Sequence, residues 1–113
     1  MKLILQTEDQ AVLEKTILLF VLSIVESLKL KVVSLDEAYR YIFNLDVLEL
    51  LMDRSIDDKV LEIVHFGIEL EDIQNLIPED LEQNIEELKW RCIQVLSDYE
   101  MYEETEQLFE DIR

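Results

Sequence analysis

Leu13, Ile17, Phe20, Ile24 and Leu28 recur at steps of three and four, the spacing that lines side chains along one face of an α-helix. Thr7-Glu8-Asp9-Gln10 precedes them. A hydroxyl followed three residues later by Gln is a capping pattern, so the helix is expected to start there. Ser34-Leu35-Asp36-Glu37 is a fuller capping box and predicts a second helix to about Asn44. Val47, Leu48, Leu50, Leu51 and Met52, then Val60, Leu61, Ile63 and Val64, predict two short apolar helices joined by a polar turn. Gly67 suits a left-handed stop for the second of these, and Ile68 to Ile77 reads as a short helix or turn. Pro78 is placed to open the next helix, because the first turn does not need its missing amide. Leu81, Ile85, Leu88, Cys92, Leu96 and Tyr99 continue that helix at steps of three and four.

The two ends are less determined. Residues 2–6 alternate as a short strand, Lys2 and Ile4 against Leu3 and Leu5, but no other segment offers an obvious partner. Leu108, Phe109 and Ile112 either extend the last helix after a bend near Ser97 to Glu104 or form a separate final helix. The fold class that follows is all-α: a compact multi-helix bundle of five to six helices, with at most one short N-terminal strand. Residues 1–113 form a single acidic helical domain, with 98–113 as a C-terminal helical extension.

Composition supports helices. Half of the 113 residues are hydrophobic, enough for a core, and one Gly and one Pro leave little material for tight hairpins or flexible linkers. The lone cysteine, Cys92, has no partner in the chain for a disulfide and cannot build a Cys-based zinc site. The apolar run Ile17 to Val25 is interrupted by Ser23 and falls well short of the ~20 residues that span a bilayer, so it reads as a core helix. The N-terminus reaches Gln6, Thr7, Glu8 and Asp9 too soon for an export signal. A cytoplasmic location, with Cys92 reduced, is the resulting expectation.

The net charge of −17 changes the question of partners. Residues 1–68 hold 12 acids against 7 Lys or Arg, whereas residues 69–113 hold 15 against 3. Repulsion on this scale disfavours nucleic acid and anionic lipid and leaves a basic protein as the expected partner. Eight acids form the doublets Glu8-Asp9, Asp36-Glu37, Asp57-Asp58 and Glu79-Asp80 at expected helix starts. There an anion is stabilised by about 0.3–1 kcal/mol, so capping outweighs catalysis as their role.

Catalytic chemistry has little to draw on. Glu62 and His65 lie three apart on one helix face, as metal ligands of di-iron bundles do. With one His in the chain, a complete site would need a homodimer to supply a second copy. The plainer reading is a His near a helix C-terminus. An EF-hand at Asp53, Asp57 and Asp58 fails, because Asp58 and Val64 occupy the positions of the required Gly and Glu. Cys92 lies at core spacing between Leu88 and Leu96, which favours packing over nucleophilic chemistry. No Gly-rich phosphate loop is possible with one Gly. Trp90, Tyr99, Met101 and Tyr102 offer either core packing or an apolar partner surface. No cofactor is expected.

The stretch His-Phe-Gly-Ile-Glu-Leu-Glu-Asp-Ile-Gln-Asn-Leu-Ile-Pro-Glu-Asp-Leu-Glu-Gln-Asn-Ile, from His65 to Ile85, with the helix Leu35 to Phe43, resembles a family of small bacterial helical proteins. That family is known as a domain of unknown function. The resemblance would cover residues from about 10 to 96, implies a bacterial cytoplasmic setting, and brings no activity or site residues.

The functional expectation is therefore a non-enzymatic acidic interaction protein that self-associates, with an immunity-like binder of a basic partner as one concrete form. Its first candidate partner-binding residues are Glu69, Glu71 and Asp72, expected on a connecting segment between Gly67 and Pro78. The alternative is a metal-binding helical bundle assembled by homodimerisation around Glu62 and His65.

Overall fold

A computed structural model of the chain describes residues 2–102 and 107–112. Helix α1 spans Gln10–Lys29 and is capped by Asp9, whose Oδ1 accepts from the amides of Ala11 (2.9 Å) and Val12 (3.2 Å). Thr7, the expected cap, instead accepts the Asp9 amide on its Oγ1 at 3.1 Å. A carboxylate in this position also gains from the helix dipole, which a hydroxyl does not.

Ser34 caps α2 (Leu35–Tyr41) as the sequence indicates, its Oγ accepting from the Glu37 amide at 3.1 Å. The helix ends before Asn44 because Asn44 caps α3 (Leu45–Asp53), accepting from the Val47 amide at 2.9 Å while its Nδ2 donates to the Tyr39 carbonyl at 2.8 Å. Helix α4 (Asp58–Leu76) then runs unbroken through Gly67, so the expected stop and the separate 68–77 segment are both absent. Pro78–Asp80 form one 3₁₀ turn, which leads into α5 (Leu81–Leu96).

Gly67 has no positive φ, and its role is steric. A Cβ at this position would overlap the ring of Phe43, with Cγ at 2.7 Å. The left-handed stops fall instead on Lys31 (φ 60°) and Ser55 (φ 56°), after α1 and α3. In each, paired amide bonds close the helix end: Val32 to the Ser27 carbonyl and Lys31 to that of Leu28, then Ile56 to Leu51 and Ser55 to Met52. This is the Schellman arrangement made without glycine.

Helices α1 and α5 lie antiparallel. Tyr99 meets Glu14, the Cys92 Sγ donates to the Leu18 carbonyl at 3.3 Å, Lys89 pairs with Glu26 at 3.0 Å, and Lys29 pairs with Glu86 at 2.5 Å. Helix α4 packs across this pair, and α2 and α3 lie against α4. The core joins Leu18, Val21, Val25 and Leu28 of α1 to Val60, Val64 and Leu70 of α4 and to Ile85, Leu88 and Cys92 of α5, with Ala38, Ile42 and Phe43 closing one side. Each fully buried Leu contributes about 1.5–3 kcal/mol. The buried stripe of α1 is thus only partly the expected one: Ile24 and Leu28 are buried, but Leu13 and Ile17 are only partly so, and Phe20, 44% exposed, packs edge-on to Tyr41 at 6.5 Å. Both stripes fit a 3.6-residue period, and only packing selects between them.

The short strand does have a partner. β1 (Lys2–Leu5) pairs antiparallel with β2 (Phe109–Ile112), in the register Lys2–Ile112, Leu3–Asp111, Ile4–Glu110 and Leu5–Phe109. The all-α expectation is corrected to a mostly helical fold with a two-stranded ribbon. The helical extension is corrected too: α5 ends at Leu96, 109–112 are strand, and residues 103–106 of that expectation lie outside the described residues. Phe109 and Ile112 suit a strand once β1 lies beside them, and spacing alone could not reveal a partner at the other end of the chain. No helix among the described residues is long and apolar enough to cross a membrane.

Candidate functional site

Glu69, Glu71 and Asp72 stand on the continuous helix α4, all exposed, rather than on a connecting segment. Helical geometry divides them. Glu69 shares a face with His65 four residues earlier and with Asp72 three residues later, while Glu71 points almost oppositely. His65 Nδ1 lies 3.2 Å from Glu69 Oε1, both side chains more than half exposed. The pair borders a shallow depression of about 550 Å³ that includes Met52, Glu62, Phe66 and Arg91. Arg91 stacks over the Phe66 ring at 4.9 Å and pairs with Glu87 at 2.7 Å. Glu71 lines a separate depression of about 370 Å³ with Asp36, Arg40 and Phe43. His65 is mid-helix, so the expected contact with a helix C-terminus is not made. Among the described residues no group of three or more His, Cys, Asp or Glu side chains is placed to hold a metal ion.

Beyond Pro78 the acidic surface continues. Glu79, Glu82 and Glu86 border a cleft of about 1130 Å³ with Lys29 and Lys31, floored in part by Leu28 and Ile85. The carboxyl of Glu86 is held below the ordinary carboxylate range, first by its hydrogen bond from Lys29 and then by that from Trp90. Lys29 is correspondingly raised, chiefly by Glu86. Sequence reading missed this cleft, because its walls come from the α1–α2 loop and from the start of α5.

A second omission is Glu14, an acid only 8% exposed. Its Oε2 accepts from the Asp57 amide (2.7 Å) and Gln10 Nε2 (3.1 Å), and its Oε1 accepts from the Tyr99 hydroxyl (2.9 Å). Three parts of the chain meet on this one carboxylate. Burial, followed by the Glu14 hydrogen bond, raises the Tyr99 hydroxyl well above its ordinary value. A signal was present in the sequence: Glu14, Leu18, Val21, Val25 and Leu28 share one stripe, so Glu14 occupies a core position.

The aromatic residues do not form one surface. Trp90 is exposed beside Glu86, donating to its Oε1 at 2.9 Å, with Lys89 5.3 Å from its ring. Tyr99, Met101 and Tyr102 lie near the other end of the α1–α5 pair, where Lys15 donates to the Glu100 carbonyl at 2.7 Å and sits 5.2 Å from the Tyr102 ring.

Cys92 is fully buried, and burial pushes its thiol up to about 11. Against an ordinary value near 9, the thiolate is about a hundredfold scarcer near neutral pH. Modification by a disulfide reagent at pH 8 is therefore expected to be at least about a hundredfold slower in the native chain than in denaturant. Comparable rates in the two states would contradict this burial.

Neither the curated proteins nor the solved structures provide a match to this chain. A family model does, over residues 8–110, a span wider than the resemblance implied and one that contains Glu14, Gly67, the α4 acids and Tyr99 together. The chain therefore belongs to the family described as Protein of unknown function (DUF3969).

Proposed function

We propose that the protein is a non-enzymatic acidic interaction module, an immunity-like binder of a basic protein partner, acting in the cytoplasm. The reading rests on charge left uncompensated at the surface. Glu71, Asp72, Glu79 and Glu82 are exposed and have no ion-pair partner among the described residues. Of the nearby cations, Lys29, Lys89 and Arg91 are already held by Glu86, Glu26 and Glu87, while Lys31, in the cleft with Glu79 and Glu82, and Arg40, beside Glu71, are fewer than the acids they border. The second half of α4 and the Pro78 turn thus present a negative field that accelerates encounter with a basic surface and opposes approach of nucleic acid.

The test is recovery of a basic protein from the source cells, followed by binding kinetics at low and high salt. Asp72→Lys with Glu79→Lys is expected to slow association about tenfold at low ionic strength, with the difference shrinking as salt screens the field. Glu69→Lys against Glu71→Lys then reports which side of α4 faces the partner. Binding that ignores salt and both charge reversals would remove this reading.

A further inference from the structure

The β1–β2 ribbon stands apart from the rest of the molecule. Among the described residues neither strand comes close to a helix, and Leu3 (64%), Ile4 (37%), Leu5 (39%) and Phe109 (54%) are exposed. A two-stranded ribbon alone is marginal in water, and its unpaired edges are templates for a further strand. Which edge is open to which partner follows from the ladder. The Gln6 amide donates to the Leu108 carbonyl at 2.6 Å. In an antiparallel ladder, hydrogen-bonded and non-hydrogen-bonded pairs alternate, so Ile4–Glu110 is bonded like Gln6–Leu108. The backbone amides and carbonyls of Leu3 and Leu5 therefore face outward on the β1 edge, and those of Phe109 and Asp111 face outward on the β2 edge.

We propose that β1 is a self-pairing edge: two copies of this chain join β1 to β1, antiparallel, across a two-fold axis, to form the four-stranded sheet β2–β1–β1–β2. A two-fold axis perpendicular to a sheet keeps each side chain on its own face. The register that uses both outward residues of each copy sets Leu3 opposite Leu5 of the other copy and Ile4 opposite Ile4. Each Leu3–Leu5 pair then exchanges both of its outward N–H···O=C bonds, and Ile4 meets its own copy at the closer non-hydrogen-bonded spacing of about 4.5 Å between Cα atoms. Leu5 already pairs with Phe109 and Leu3 with Asp111, so Leu3, Leu5 and Phe109 of both copies come to share one face, with the acid in register with Leu3.

Charge chooses this edge over the other. The same operation on β2 centres on Glu110 and sets it directly across from its own copy, where like charges destabilise pairing. Joining β1 of one copy to β2 of the next is a head-to-tail contact that does not close on two copies. The β1 edge alone is both uncharged at its centre and closed by a two-fold axis. This pairing is independent of the proposed basic partner, and salt separates the two. Each copy carries −17, so screening strengthens the dimer while it weakens binding of a basic protein.

Sedimentation equilibrium of the full chain, from about 10 μM to about 1 mM at low and high salt, tests the proposal in the range expected of a small interface. The mass should rise from 13.5 kDa towards twice that value, further at high salt. The Leu3 and Leu5 amides should gain protection from hydrogen exchange with concentration, while the Ile4 and Gln6 amides, bonded within the ribbon, stay unchanged. Ile4→Glu should weaken association at least about tenfold by placing like charges face to face. Leu3→Pro removes one outward amide, leaves the bonds to β2 in place and should do the same. Glu110→Ile should open a second edge and carry the mass beyond a dimer. A monomer at every concentration and salt would overturn the proposal, as would a dimer indifferent to both Ile4→Glu and Leu3→Pro.

Discussion

Gly67→Val is expected to lower the stability of the fold by about 3 kcal/mol, the upper range for forcing extra atoms into a filled site. The overlap is with the ring of Phe43, which is 1% exposed and part of the packed core. Replacing a helical glycine normally helps, by up to about 1 kcal/mol for Ala and less for Val. At this position the overlap is larger than that gain, so even Gly67→Ala should cost about 1–2 kcal/mol. Denaturant midpoints of Gly67→Ala, Phe43→Ala and the double variant provide the check. Phe43→Ala alone should cost about 3–5 kcal/mol, and the pair should fall short of additivity by at least about 1 kcal/mol, because the small ring site makes room for the new methyl. A stabilising Gly67→Ala would show that Phe43 does not press on this turn of α4.

The second large effect is expected at Glu14. Glu14→Ala strands the Asp57 amide, the Gln10 amide and the Tyr99 hydroxyl, and hydrogen bonds to a charged acceptor are worth about 1.5–3 kcal/mol each before water replaces them. All three donors border solvent to some degree, so a net loss of about 2–3 kcal/mol is expected. Glu14→Gln should lose roughly half as much, since it keeps one acceptor and the Tyr99 hydroxyl can turn to accept from the new amide. The link to Tyr99 also gives a pH dependence. Folded Tyr99 holds its proton above the unfolded value of 10. That contribution is fully present below about pH 10 and is lost as pH rises further. In Glu14→Ala the alkaline absorbance titration should shift towards the ordinary tyrosine range, though not all the way, because burial is the larger cause. An unshifted titration with unchanged stability would show that the three contacts are incidental.

Both effects reside where local reading fails. Gly67 resembles a helix stop, yet the chain puts its single glycine under an aromatic ring and ends α1 and α3 with Lys31 and Ser55 in left-handed conformations. A non-glycine residue there costs about 1–2 kcal/mol, which the paired amide bonds and the burial of Ile56 beside the second turn offset. Glu14 was legible only in part. Its place on the apolar stripe is visible in the sequence, but two of its three partners are 43 and 85 residues away.

The candidate acids show the same division. Their sign and density along residues 69–113 are properties of the sequence. That Glu69 and Asp72 share one face while Glu71 lies on another depends on α4 passing Gly67 without a break.

By itself the sequence determined whatever a few neighbouring residues control: the Ser34 cap, the acids at helix starts, the Pro78 entry to α5, the core spacing of Leu88 and Cys92, and a negative second half. Caps and periodicity act over one or two helical turns, so they are written locally. The tertiary structure alone decided the continuity of α4, the choice between two equally periodic stripes on α1, the burial of Glu14 and the pairing of β1 with β2. Each of these is a competition between distant surfaces for the same contact, and its outcome is set by steric fit and by which polar groups find partners once the chain has closed on itself.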